Sequence, residues 1–312
     1  MTTALITHSD CIGHDPGPGH PECPDRLRAV LAALDAPEFA TLLRLPAPEA
    51  SEEQLCRAHP PDYVAAILAL EVAAGERLAL DPDTQFGPGT RRAALLAAGG
   101  AVAAVDAVLG GQARTAFAAI RPPGHHAEPA RPMGFCLFNN VAVAAQHARA
   151  RWGKRRIAVV DFDVHHGNGT EAMFARDGDL FYASSHQFPC YPGTGRASDT
   201  GIAGNIVNLP LPPGAGSAAF RAGWDATILP ALEAFAPEVL IVSAGFDAHR
   251  ADPLAALELE TEDFVWLTHA LLGVADRHCD GRMVSVLEGG YDLAALAASA
   301  AAHVRVLMQG AP

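Results

Sequence analysis

Lysine is almost missing from this chain: Lys154 stands alone, and the basic residues are otherwise arginine. Together, 22 Lys and Arg face 35 Asp and Glu, a net charge of −13. Such a surface suits cationic ligands and repels phosphate backbones, so direct nucleic-acid binding is not expected. Cysteine pairs are lacking too. Cys11, Cys23, Cys56, Cys136, Cys190 and Cys279 are scattered with no CxxC, which argues against a thiolate zinc site and against a compact disulfide framework. They read as reduced structural residues. No basic segment followed by an apolar stretch and a cleavage site opens the sequence, and no run approaches the roughly 18 uncharged apolar residues of a membrane span. A cytoplasmic protein without membrane attachment is therefore expected. Internal repeats, low-complexity blocks and linkers are also absent, so residues 1–312 are expected to form one domain. The abundance of alanine with so little lysine resembles a bacterial chain from a GC-rich genome.

What is present is apolar and periodic. Half of the residues are hydrophobic, ample for one large core. Strand candidates are Leu5 to His8, Thr115 to Ile120, Ile157 to Val160, Leu180 to Ser184, Ile206 to Leu209, Val239 to Ser243 and Met283 to Leu287. Helical spacing covers about 25–34, 62–76, 90–109, 139–152, 217–235, 262–279 and 293–308. Alternation of strands with long helices predicts an α/β protein with a doubly wound, mostly parallel sheet covered on both faces.

Four of these strands end in unusual polar residues. They are His125-His126, the run Asp161-Phe162-Asp163-Val164-His165-His166-Gly167-Asn168, the pair Asp247 and His249, and Glu288-Gly289-Gly290-Tyr291. In extended chain Asp161, Asp163 and His165 point one way while Phe162 and Val164 point the other. Open parallel sheets bind ligands at the carboxyl ends of their strands, so four such ends describe one pocket. Asp163, His165 and Asp247 make an O,N,O set with room for water and a substrate oxygen, as a catalytic Zn²⁺ site requires; Fe²⁺ or Co²⁺ would also accept these ligands. Of the adjacent histidines, one can take a proton from the attacking water while the other hydrogen-bonds or protonates a departing amine. Tyr291, after two glycines, can offer its hydroxyl to a carbonyl oxygen that becomes an oxyanion. The parts together describe metal-assisted hydrolysis of an amide.

RPPGHHAE, GFCLFNNVAVAA, DFDVHHGNGTE, SAGFDAHRADPL and LEGGYD resemble the motifs of the zinc-dependent histone deacetylases, particularly class II and the bacterial deacetylase-like amidohydrolases. The resemblance runs from His20-Pro21-Glu22 almost to the C-terminus. It implies the arginase/deacetylase fold, a sheet of about eight strands flanked by helices. It implies Asp163, His165 and Asp247 as zinc ligands, His125 and His126 as the catalytic pair, Tyr291 as the oxyanion donor and Asp161 as the residue that orients His125. Asn168 matches class II, where class I carries aspartate, and this is expected to leave His126 freer to become protonated. The resemblance further implies Phe135 and Tyr191 as walls of an acyl-lysine tunnel, with Asp83 at its rim and Leu254 at its mouth. It implies a structural K⁺ near Asp161, Asp163, His165, Ser184 and Ser185, and Arg26 in a channel that releases acetate.

Acylated lysine and acylated polyamines are the candidate substrates, and a homo-oligomer is allowed. The polyamine-specific relative carries glutamate at the position of Leu254, and the loop 13–24 is short for the insertion that narrows the entrance of bacterial acetylpolyamine amidohydrolases. Both favour acyl-lysine, against the sign of the net charge. An arginase-type enzyme would use a pair of Mn²⁺ ions, but Gly167 and His249 stand where its extra carboxylates belong. The remaining alternative is an inactive acyl-lysine-binding module, against which His125, His126 and Tyr291 speak.

Overall fold

A computed structural model describes residues 2–310; Met1, Ala311 and Pro312, included in the expected domain, lie outside the described residues. Among the described residues ten strands form: β1 (Thr3–Thr7), β2 (Leu43–Pro46), β3 (Leu78–Ala79), β4 (Gln85–Phe86), β5 (Thr115–Ala118), β6 (Ile157–Asp161), β7 (Leu180–Gln187), β8 (Ile206–Leu211), β9 (Val239–Ala244) and β10 (Met283–Leu287). Eight build one sheet in the order β2-β1-β5-β10-β9-β6-β7-β8, and every pairing in it is parallel. β3 and β4 form a separate antiparallel hairpin.

Every residue of β5, β6, β9 and β10 is buried, as expected of parallel strands covered on both sides. Helix Leu293–Gln309 packs between Pro24–Leu34 and Thr261–His278, and Thr90–Leu109 packs on Asn140–Trp152. The apolar helix Thr90–Leu109 is long enough by composition to cross a membrane, but 72% of its apolar window is buried inside this body. Asn139 caps its neighbouring helix by accepting from Ala142 N, so the helix begins one residue later than expected.

Two expectations need correction. The helix expected over 62–76 stops at Leu68, because the residues beyond it are largely exposed and supply no apolar face to hold the turn. The edge strand β2 was not expected, since its four residues alternate between half-buried and exposed and carry no apolar run.

The topology places β5, β10, β9 and β6 side by side. These are the strands that end in His125-His126, Glu288 to Tyr291, Asp247 and Asp161 to His165. Their pairing also levels the ends: Asp161 lies opposite Ser243, and Leu287 opposite Ala244.

Candidate metal centre and acyl tunnel

Although β6 ends at Asp161, its alternation persists for four more residues, to His165. Phe162 turns into the core, where its ring meets Phe246, Phe264 and His303 within 6.0 Å. His303 is itself fixed there by hydrogen bonds with Thr268 and Ser285. Asp161, Asp163 and His165 face the other way, into the site.

Asp163, His165 and Asp247 each bring one ligand atom to within 4.8 Å of the others. His165 Nδ1 lies 3.1 Å from both Asp163 Oδ1 and Asp247 Oδ2. Backbone amides hold the carboxylates: Gly289 N donates to Asp163 Oδ2 at 2.8 Å, and Val164 N to Asp247 Oδ1 at 2.8 Å. Glycine is required at 289, because a Cβ there would lie 2.2 Å from Asp247 Oδ2. Burial, reinforced by the charge of Asp163, pushes the Asp247 carboxyl up to about 7. Burial opposes a charged His165, but its bonds to Asp163 and Asp247 outweigh that and hold its imidazole well above the ordinary range. Two buried carboxylates thus bind positive charge at the atom between them. That is the chemistry of a cation site, and its donors suit a mononuclear zinc-type ion.

His125 Nδ1 donates to Asp161 Oδ2 at 3.0 Å, and the Tyr182 hydroxyl donates to the same oxygen at 3.0 Å. Glu288 accepts from Gly124 N and His125 N, which fixes the backbone beneath the histidine pair. Burial disfavours the His125 imidazolium, yet Asp163 and Asp161 overcome it and raise His125 to about 10. His126, 4.0 Å away between ring centroids, runs the other way. Burial first, then the neighbouring His125 and His165, hold it well below the ordinary range. Asn168 bonds His126 Nδ1 at 2.8 Å as expected of a partner, and this bond raises His126 against the stronger lowering by burial and by its histidine neighbours.

Above these residues lies a cavity of about 220 Å³. His126, His165 and Tyr291 line it together with Gly134, Phe135, Tyr191, Leu254 and Asp83. Tyr191 stands edge-on to His126, with ring centroids 5.1 Å apart, and Phe135 faces Tyr291 at 5.9 Å. Phe135 takes φ 68°, a strained conformation for a bulky side chain, and Phe135 N donates to Thr84 Oγ1 at 3.0 Å. Tyr191 and Leu254 are 37% and 36% exposed, which puts them at the opening. Burial, reinforced by Asp81, pushes Asp83 up to about 6.

Arg26 is not among the residues lining this cavity. It lies fully buried behind Tyr291, with its guanidinium carbon 4.8 Å from the ring centroid, and donates to Gly290 O, Glu288 O and Glu22. Ser184 and Ser185 lie within β7, beside β6. Ser184 Oγ bonds His186, whereas Ser185 Oγ is buried and has no hydrogen-bond partner among the described residues. The sequence reading missed Tyr182, the Glu22 cluster with Arg121 and His14, and Asp252. Asp252 accepts from Tyr291 N at 2.6 Å and from Leu254 N at 3.0 Å, tying the tyrosine to the mouth. Its place in the Asp-Pro-Leu turn was the one available signal.

A family model described as the histone deacetylase domain matches residues 20–307. The chain belongs to the histone deacetylase family. Within the family it is 42% identical to a histone deacetylase-like amidohydrolase of Pseudomonas aeruginosa, over 93% of this chain and 81% of that protein. It is 40% identical to human polyamine deacetylase HDAC10, covering 99% of this chain and 48% of the longer relative. The fold is that of the family: the crystal structure of the HDA15 HD domain matches with a TM-score of 0.93 and 36% identity, over 99% of this chain and 89% of that one.

Proposed function

We propose that the protein is a zinc-dependent deacylase that removes acetyl or other short acyl groups from lysine-like amines. The observation that carries this reading is the meeting of three features at one cavity. Asp163, His165 and Asp247 form the floor, His125, His126 and Tyr291 surround it, and Phe135 and Tyr191 wall the way in. Zinc bound by the three floor residues would polarise the acyl carbonyl and acidify water.

The other steps belong to the chain. The aromatic walls flank the methylene stem of the substrate and exclude water from it. His125, hydrogen-bonded to the buried Asp161 carboxylate, is oriented beside the reacting centre and is favoured there in its charged form. Neutral His126 accepts a proton from the attacking water and returns it to the departing amine. Burial pushes the Tyr291 hydroxyl well above its ordinary range despite the opposing charge of Arg26, so it remains a phenol able to donate to the developing oxyanion. The Arg26 group behind it is assigned to the acetate exit. We also assign a monovalent cation beside β6 and β7, supported by the unpartnered Ser185 Oγ.

Leu254 at the mouth offers apolar contact and favours acyl-lysine substrates. A second reading, an acylpolyamine substrate, draws on Asp83 at the same opening and on the relatives named polyamine deacetylases. Zinc-loaded protein assayed on acyl-lysine peptides and N-acylpolyamines tests both. Hydrolysis abolished by a chelator and restored by zinc is expected, with kcat/KM higher for the peptides. Binding of acyl-lysine without turnover would leave only a recognition module.

A further inference from the structure

Asn168 raises a question that an aspartate there would not. A carboxylate accepts a hydrogen bond from whichever edge it presents, but a carboxamide has an oxygen that accepts and a nitrogen that donates. Which of the two faces His126 Nδ1 decides which imidazole nitrogen carries the hydrogen, and with it which nitrogen can take a proton from water.

The surroundings of the amide settle its direction. Asn168 Nδ2 lies 2.9 Å from Glu128 Oε1 and 3.3 Å from Met133 Sδ. An ionised carboxylate and a thioether only accept, so both require the nitrogen on that side. Turning the amide over would set Oδ1 against the Glu128 carboxylate and Nδ2 against His126. With Asn168 only 6% exposed, little bulk water is at hand to relieve the clash. Oδ1 therefore faces His126 Nδ1 at 2.8 Å, Nδ1 carries the hydrogen, and the lone pair is left on Nε2. Glu128 is itself anchored. Its backbone pairs with Arg131 across a short bridge, and the Arg131 Nε lies 3.7 Å from its carboxylate.

We propose that Glu128 is a positioning residue of the reaction: it locks the Asn168 amide and thereby holds His126 in the tautomer whose Nε2 can accept a proton. This rests on the reading of His126 as the proton carrier. The side chain of Glu128 is 34% exposed and lines neither the cavity nor the metal cluster. Its effect passes through Asn168 alone.

The test compares the parent with Glu128→Ala, Glu128→Gln and the double variant Glu128→Ala with Asn168→Asp. Histidine ¹⁵N spectra of each protein report the tautomer of His126 and need no turnover, so they remain readable even if the assignment as a deacylase fails. The parent and Glu128→Gln, whose amide oxygen still accepts from Asn168, are expected to show His126 protonated at Nδ1. Glu128→Ala is expected to show a mixture. In the deacylase assay Glu128→Ala should lower kcat by about tenfold, the scale of one misdirected hydrogen bond, with KM nearly constant. The double variant should recover most of the loss, because a carboxylate at 168 needs no lock. A folded Glu128→Ala protein whose His126 keeps a single Nδ1–H tautomer overturns the proposal. So does a Glu128→Gln protein as impaired as Glu128→Ala.

Discussion

The floor of the site and its mouth are built from different materials. The floor and the groups around it come from the ends of four adjacent strands of the parallel sheet, and their charged groups are buried and held by backbone amides or by one another. The mouth comes from loops, with Tyr191 and Leu254 over a third exposed and Asp83 beside the short hairpin β3–β4. A rigid floor can fix the geometry of a reaction, whereas a loop-built, solvated mouth can only bias which substrate enters. Changes in the floor should therefore act on chemistry and be large. Changes at the mouth should act on selection and be modest.

The largest effect is expected for Asp247→Ala. It removes one of three ligands and leaves a single carboxylate beside His165, so bound metal should be lost and deacylation should fall on the order of 10³-fold or more. Retention of both metal and rate would remove Asp247 from the floor. Next is Tyr291→Phe, expected to lower kcat by roughly 10²- to 10³-fold with little change in KM, the usual scale for one oxyanion donor. A near-normal kcat would assign Tyr291 to packing.

At the mouth, Leu254→Glu should shift kcat/KM toward an N-acetylpolyamine relative to an acetyl-lysine peptide by on the order of tenfold, as one partly solvated charge contact of about 1 kcal/mol allows. An unmoved ratio would mean that substrates do not pass Leu254. The smallest effect is a pH dependence. Asp83 titrates at about 6, so its negative charge is present at pH 7.5 and is lost as pH falls through about 6. KM for a substrate held by that charge should rise roughly two- to fivefold between pH 7.5 and 5, and Asp83→Asn should flatten the rise at its acid-side value. A parent KM that is level across this range would exclude Asp83 from substrate binding.

The same contrast governs what could be read from sequence. β6 was legible because a strand buried on both faces must be continuously apolar, and its polar end was legible because chemistry stands out against that background. β2, on the sheet edge, has alternating exposure and no such run. Within the site, the motif residues were legible, but their supports were not. Tyr182 reaches Asp161 from the next strand, Glu128 reaches Asn168 across forty positions, and Asp252 ties Tyr291 N to the mouth. Those contacts exist only after the sheet has brought distant segments together. The lowering of His126 was not legible for a related reason: it comes first from burial and then from His125 and His165 as neighbours in space, against the raising bond to Asn168.

The central claim is that one metal, bound by Asp163, His165 and Asp247, supports the reaction. Protein stripped by a chelator and titrated with zinc, while hydrolysis of an acetyl-lysine reporter is followed, tests it most directly. Activity should be absent at the start, rise in proportion to zinc and level off at about one ion per chain. Full activity in the stripped protein, or a rise that levels off only at two ions, would contradict the account.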